Sequence, residues 1–346
     1  MDRKKTAPTI KDIAQEAGVS IATVSRAINQ EEGLSSATRE KILTIARQLR
    51  YYPNLQARGL VAKKPEAVGI VIPQSSEFAL SNPYYNEILK GIGAKTNKKE
   101  QYLVLSFLQG ENYVRMYHSR LAAGLIVLAN RIDDPGIEEA RRSQIPMVLI
   151  PGDPLKRDVP SVDGNNYDGI RQATEHLIQL GHREIAFLRG PMNSKYTIER
   201  LAAFRRALKR HSLPFREDWL IEYDFTPEGA YAGMKKLISL GKPPTGLLLM
   251  NDFSAVGVVR AAKELGYRVP QDVSIIGFGD IPLAAMTDPS LTTVREPFQE
   301  MGNQAADMLL KMIQGKRIGA KHVILPVELI IRKSTAPPPP RKRRTA

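Results

Sequence analysis

Two groups of residues in this chain have types and spacings that could do chemistry, and the sharper one lies near its start. Within residues 18–29, Ile21, Ala22, Ser25, Arg26 and Asn29 offer methyl, hydroxyl, cationic and amide groups, the kinds that meet base edges and phosphates in a DNA groove. On a helix they share one face, while Val24, Ala27 and Ile28 recur at i, i+3, i+4 on the other. Gly18 permits a turn and Ser20 is a good N-cap. From this stretch alone, an ordinary amphipathic surface helix reads equally well.

The second group is spread through the long remainder. Tyr84, Arg200, Phe225, Asn251, Asp252 and Glu296 fall at the ends of apolar runs or in the turns after them, where open α/β sheets bind ligands. An aromatic ring with bidentate polar groups suits a sugar, the ring taking the apolar face and Arg, Asn and Asp the hydroxyls. Each residue also has a plain structural reading: Tyr84 as core, Arg200 in a surface ion pair, Asp252 as a helix cap. Catalysis finds no centre. There is no phosphate loop, zinc helix or nucleophile elbow, and Gly277-Phe-Gly-Asp280 is a poor dinucleotide fingerprint. The histidines at 118, 176, 182, 211 and 322 have no metal-ligand spacing, so no catalytic residue, metal or cofactor is assigned.

The elements that must position these groups can be read in order. Thr9-Ile-Lys-Asp12 resembles a capping box and opens a helix with Ile10, Ile13, Ala14 and Ala17 on one stripe, ended by Gly18. After the second helix, a third starts at Ser36 with Ile42, Ile45, Ala46 and Leu49 inward, the arrangement of a helix-turn-helix. Tyr51-Tyr-Pro-Asn54 breaks the pattern, and residues 55–61 could form a helix only against a partner; alone they read as a solvated linker. From Val68 onward, apolar runs alternate with helical segments, as in βαβ units. Strands are expected at 67–72, 102–107, 124–128, 146–150 and 161–162, then at 185–188, 219–223, 246–250 and 273–278. Two such sets imply two lobes, with a hinge near 162–166 and return crossings near 290–294 and 325–328.

Composition bounds the partners. The 346 residues carry a net charge of +14, of which residues 1–64 hold +6 and the last six residues +4, so basic character sits at the ends. There is no cysteine, no apolar run of about 18 residues and no apolar segment after the charged start, so no membrane contact is expected and the cytoplasm is the expected location. Residues 335–346, polyproline followed by a basic cluster, read as a disordered tail.

These motifs resemble the LacI/GalR family of bacterial transcriptional repressors. The likeness runs from Thr9 to about Lys333 and rests on Ile13-Ala-Gln-Glu-Ala-Gly-Val-Ser20, Thr23-Val-Ser-Arg26, Thr38-Arg-Glu40, Tyr52-Pro-Asn54, Gln56-Ala-Arg-Gly-Leu60, Leu180-Gly-His182, Asn251-Asp252, Gly277-Phe278 and Leu291-Thr-Thr293. It implies an all-α helix-turn-helix headpiece (1–53), a hinge helix (54–64) and an α/β periplasmic-binding-protein-like core of two doubly wound parallel-sheet lobes. The lobes would be 65–163 with 293–325, and 164–292 with 326–334. It implies base reading by Ile21, Ala22, Ser25, Arg26 and Asn29, and phosphate contacts by Thr9, Ser20, Thr23, Thr38, Tyr51 and Asn54. Ala57 and Leu60 would meet the minor groove, Leu60 as an apolar wedge. A homodimer on a pseudo-palindromic operator follows, since the family's leucine-heptad tail is absent. In the core the resemblance makes Tyr84, Arg200, Phe225, Asn251, Asp252 and Glu296 contacts to a small effector, a mono- or oligosaccharide, with allosteric control of operator affinity. Gly279-Asp280 stands where many members have two acids, and Pro151 where some sugar repressors carry an acid. Residues 81–85 and 162–166 look most like the maltose-regulator branch. The rivals are a sugar-binding transport protein, opposed by the basic headpiece, and an α/β enzyme, opposed by the missing catalytic constellation.

Overall fold

A computed structural model describes residues 8–28, 31–51, 67–107, 112–128, 131–152, 158–241 and 243–340. Two compact units divide the chain at residue 65. In the first, α1 (Ile10–Ala17), α2 (Ile21–Ile28) and α3 (Ser36–Gln48) enclose a small core of Ile13, Ala17, Val24, Ala27, Ile42 and Ile45. The local reasons are the expected ones. The Asp12 carboxylate accepts from the Thr9 amide (2.6 Å) and hydroxyl (2.8 Å), Gly18 ends α1 at φ 67°, and Ser20 Oγ accepts the Thr23 amide at 3.1 Å. Lys41 donates to the Ala17 carbonyl (3.0 Å), satisfying an orphan acceptor at the end of α1. Ser35 caps α3, which starts at Ser36 as expected, and accepts from the Thr38 amide.

The second unit holds two six-stranded sheets. The first contains β1 (Ala67–Val71), β2 (Tyr102–Ser106), β3 (Leu125–Val127), β4 (Met147–Leu149), β5 (Ser161–Gly164) and β11 (His322–Leu325), all parallel, in the order β11-β5-β4-β3-β1-β2. The second contains β6 (Ile185–Arg189), β7 (Leu220–Glu222), β8 (Gly246–Leu249), β9 (Ser274–Gly279), β10 (Thr292–Arg295) and β12 (Glu328–Ile330), in the order β12-β10-β9-β8-β6-β7, with β12 antiparallel to β10. Strands such as β3 and β8 are buried throughout, as sheets covered by helices on both faces require. The covering helices are α4 (Ser76–Ser81), α5 (Pro83–Asn97), α6 (Asn112–His118), α7 (Pro135–Arg142) and α13 (Phe298–Ile313) on the first lobe. On the second they are α8 (Asn166–Gln179), α9 (Lys195–Arg210), α10 (Pro227–Ser239), α11 (Ala255–Glu264) and α12 (Pro282–Met286). Pro83, Pro135 and Pro227 stand in the first turns of their helices, where a missing amide costs nothing.

Two sequence expectations need correction. The second crossing lies at Glu296 and Pro297, not within 290–294, because β10 extends β9 in parallel register from Thr292 to Arg295 and so belongs to the second sheet. The tail is not loose from residue 335. Ala336 exchanges hydrogen bonds with Ser274 Oγ at 3.0 Å and accepts from His182 at 2.9 Å, while Thr335 meets His176, so the chain is pinned beyond β12. Residues 54–64, the expected hinge helix, and 341–346 lie outside the described residues.

Helices α5 and α13 approach until their backbones touch. A Cβ on Gly91 would stand 1.9 Å from the Gln299 carbonyl oxygen, and one on Gly302 would stand 2.2 Å from that of Ile88. Backbone cannot yield as a side-chain end can. Gly91→Ala should therefore cost about 1–3 kcal/mol or more, read as a lower urea midpoint, whereas Gly93→Ala on the same helix, with nothing within 4 Å, should be neutral or stabilising. Equal midpoints for the two variants would refute the close crossing.

Candidate functional site

In the headpiece, burial of Val24 and Ala27 turns the opposite face of α2 outward. Ile21 is 46% exposed, Ala22 and Arg26 are exposed, and Ser25 is half-buried beside them. The face is short, mixed and carries one cation, which is what reading base edges needs. Ser20 and Thr23 lie at the start of α2 with their hydroxyls 2.8 Å apart, Thr9 caps α1, and Thr38 lies in the first turn of α3 with its hydroxyl 2.8 Å from that of Ser35. Tyr51 packs half-buried against the three-helix core. Asn29, Asn54, Ala57 and Leu60 lie outside the described residues.

In the second unit, all six residues of the other group line one cavity of about 490 Å³, at the carboxyl ends of both sheets. Tyr84 comes from the first turn of α5, Arg200 from α9, and Phe225 from the turn before α10. Asn251 and Asp252 follow β8, and Glu296 lies on the crossing after β10. Their freedom to act differs sharply. The Arg200 guanidinium is 3% exposed and donates to Asn166 Oδ1 (2.7 Å), the Met250 carbonyl (2.6 Å) and Glu296 Oε2 (3.2 Å). It also lies 3.5 Å above the centre of the Phe278 ring. Asn251 donates to the Phe225 carbonyl and accepts from the Ser254 amide and hydroxyl. Asp252, 1% exposed, accepts from the Thr293 hydroxyl and the Ile281 amide. These three residues shape the wall through protein partners, as does Glu296, whose side chain is only 1% exposed, whereas Tyr84 and Phe225 offer it rings.

Phe225 stands at φ 67°, unusual for a bulky residue, and its ring lies over Gly190, where a Cβ would fall 2.1 Å from Cζ. Asn251 and Ser254 hold the Phe225 carbonyl and so fix this turn. Glu296 Oε1 is buried and has no hydrogen-bond partner among the described residues. Burial pushes the Glu296 carboxyl up to about 7 against the pull of Arg200, and burial likewise raises Asp252 to about 7.

Gly279 stands at φ 128°, a backbone conformation that side chains rarely adopt, and a Cβ there would sit tightly, 3.2 Å from the Phe298 ring; the neighbouring Asp280 is held by Arg295 (2.8 Å) and Arg332 (2.6 Å). Several wall residues escaped sequence reasoning: Gln74, Arg131, Asn193, Tyr196 and Asp224. Four of them lie in turns beyond β1, β3, β6 and β7, the same strand-end position that singled out Phe225, and Tyr196 opens α9. Among the described residues no group of three His, Asp or Glu could hold a metal, and no helix is long and apolar enough to cross a membrane.

A helix-turn-helix unit joined to a two-lobed core with a cavity at its strand ends defines a DNA-binding regulator with a ligand domain. The bacterial regulatory protein, lacI family pattern matches residues 9–54, and the periplasmic binding protein-like domain matches 174–335. Catabolite control protein A of Priestia megaterium is 31% identical, over 94% of this chain and 99% of its own length. The repressor CytR of Escherichia coli is 32% identical, over 96% and 98%. Among solved structures, a lac repressor dimer bound to operator and the anti-inducer ONPF matches with a TM-score of 0.82 at 29% identity, covering 96% of this chain and all of that one. A complex of the transcriptional regulator CelR with cellobiose matches with a TM-score of 0.72 at 29% identity, over 94% and 99%. The chain belongs to the LacI family of DNA-binding transcriptional repressors, which are not enzymes.

Arg26→Ala should lose about 1–3 kcal/mol of discrimination between operator and random DNA, measured by competition binding at one salt concentration; equal losses on both DNAs would exclude base reading. Asp252 gives a pH test. A carboxyl whose folded value is raised to about 7 contributes stability that is full below its unfolded value near 4 and lost as pH rises through 7. Thermal unfolding should show wild type losing stability relative to Asp252→Asn between pH 5 and 8. A constant difference across that range would remove the burial argument.

Proposed function

We propose that the cavity takes a carbohydrate effector, that its occupancy sets operator affinity, and that the operator is a pseudo-palindrome read by a homodimer in the cytoplasm. The observation that carries the effector reading is the cavity itself. Its volume of about 490 Å³ falls in the range of small-molecule sites, and its wall carries the Tyr84 and Phe225 rings together with the Asp224 carboxylate and the amides of Gln74 and Asn193. A sugar presents an apolar face for such rings and hydroxyl donors for such a carboxylate. The likeness to a regulator solved with cellobiose supports the same class.

In this reading the headpiece finds each half-site through Ile21, Ala22, Ser25, Arg26 and Asn29, with Thr9, Ser20, Thr23, Thr38, Tyr51 and Asn54 on phosphates. Ala57 and Leu60 meet the minor groove. The six cavity residues act on the effector in two ways: Tyr84 and Phe225 by contact, and Arg200, Asn251, Asp252 and Glu296 by holding the wall in shape. Ligand that prefers one arrangement of the lobes shifts the protein toward it, and only that difference in affinity reaches the DNA.

A thermal-shift panel of neutral mono- and disaccharides tests the class, with maltose included because residues 81–85 and 162–166 resemble the maltose-regulator branch. A ligand at 100 times its dissociation constant adds about 2.7 kcal/mol of stability. At least one sugar should raise the melting temperature of wild type and not that of Phe225→Ala. If no sugar stabilises wild type, or if Phe225→Ala responds equally, the carbohydrate reading fails.

A further inference from the structure

Among the described residues the lobes meet at several points: the Tyr84 and Tyr196 hydroxyls lie 3.2 Å apart, Phe253 and Leu283 pack against the first lobe's core, and the segment before α9 reaches the residues that follow β3. The Ile132 amide donates to the Asn193 carbonyl at 2.8 Å, and Arg131 and Ser194 form an antiparallel bridge. Two residues on, Lys195 Nζ donates to Asp163 Oδ1 at 2.7 Å, across the cleft from α9 to the end of β5. Both side chains are largely buried, 12% and 9% exposed, and Asp163 is oriented from behind by the Gly152 amide at 3.0 Å. Lys195 also has a second acid within reach: Glu199, one turn along its own helix, lies 3.4 Å from Nζ and is 38% exposed. The effector-facing Tyr196 and the wall-forming Arg200 follow on the same helix, so any shift of the start of α9 moves them together.

A largely buried ion pair between two lobes has a particular energetic character. With the lobes together, the charges attract in a medium poorer than water; with the lobes apart, both regain hydration, and the desolvation cost of closing offsets much of that attraction. Such a contact does not lock the cleft. Glu199 biases the balance further, because it offers Lys195 an opposite charge that needs no closure.

We propose that Lys195 is a positioning residue that divides its charge between Asp163 across the cleft and Glu199 on its own helix, and so sets how much of the time the lobes are closed. This rests on reading the cavity as the effector site, but it can be tested without effector or DNA. The readout is hydrogen–deuterium exchange by mass spectrometry on the full-length protein, following the peptide that carries the Ile132 amide, with the amides of Leu125–Val127 in β3 as reference.

Lys195→Met should speed exchange at Ile132 about tenfold or more, and Asp163→Asn should do the same with little added by combining them. Lys195→Arg should stay near wild type. Glu199→Gln should slow exchange, because it removes the competing acid. A role in general stability cannot give opposite signs for Lys195→Met and Glu199→Gln. Unchanged exchange in Lys195→Met, no slowing in Glu199→Gln, or a parallel rise at Leu125–Val127 would each overturn the proposal while leaving the effector reading to its own test.

Discussion

The core is organised around a buried charge that has to be answered. Its two sheets are joined by crossings that run past the cleft, and on the middle one Glu296 is enclosed with a single ionic partner, Arg200. A carboxylate taken out of water is costly unless paired and hydrogen-bonded. Arg200 answers it from the second lobe, and Arg200 is itself fixed by Asn166, the Met250 carbonyl and the Phe278 ring. The wall of the cavity is in this sense a by-product of satisfying that pair. Removing either partner would leave the other charge buried and alone, which is why residues that look like ligand contacts in sequence also carry structure.

The same accounting separates what was legible in the sequence from what was not. Periodicity found the headpiece helices because Ile13, Ala17, Val24, Ala27 and Ile42 have no other place to go, and local caps at Thr9, Ser20 and Gly18 fixed their ends. Continuous apolar runs found β1 to β9, but β10, β11 and β12, which are short and mixed in composition, were not expected as strands. The second crossing was misplaced because Thr292 to Arg295 is a short, mixed run whose membership is decided by pairing with β9, a non-local fact. Docking of Thr335 and Ala336 was hidden for a related reason: the partners His176, His182 and Ser274 lie far away in the chain, and polyproline composition gives no sign of them.

Strand-end position brought Tyr84, Arg200, Phe225, Asn251, Asp252 and Glu296 to one cavity, but it could not apportion their hydrogen bonds. Asp252 looked like a hydroxyl-binding acid or a cap; its oxygens are instead taken by Thr293 and Ile281. The missing acid at 279 has a backbone cause, a φ of 128° that suits glycine, and Asp280 is itself held by two arginines. What faces the cavity is mainly aromatic surface, with polar groups of Gln74, Asn193 and Asp224 beside it. That inventory favours a ligand with an apolar face and a hydrogen-bond donor.

The account turns on coupling between this cavity and DNA affinity, and coupling is reciprocal: whatever factor the effector imposes on operator binding, operator must impose on effector binding. The direct measurement is calorimetric titration of the stabilising sugar into the full-length protein, free and saturated with operator, at one salt concentration. The account predicts two different dissociation constants, separated by about 5–150-fold, the span of typical coupling energies. Identical constants in the two titrations would contradict it.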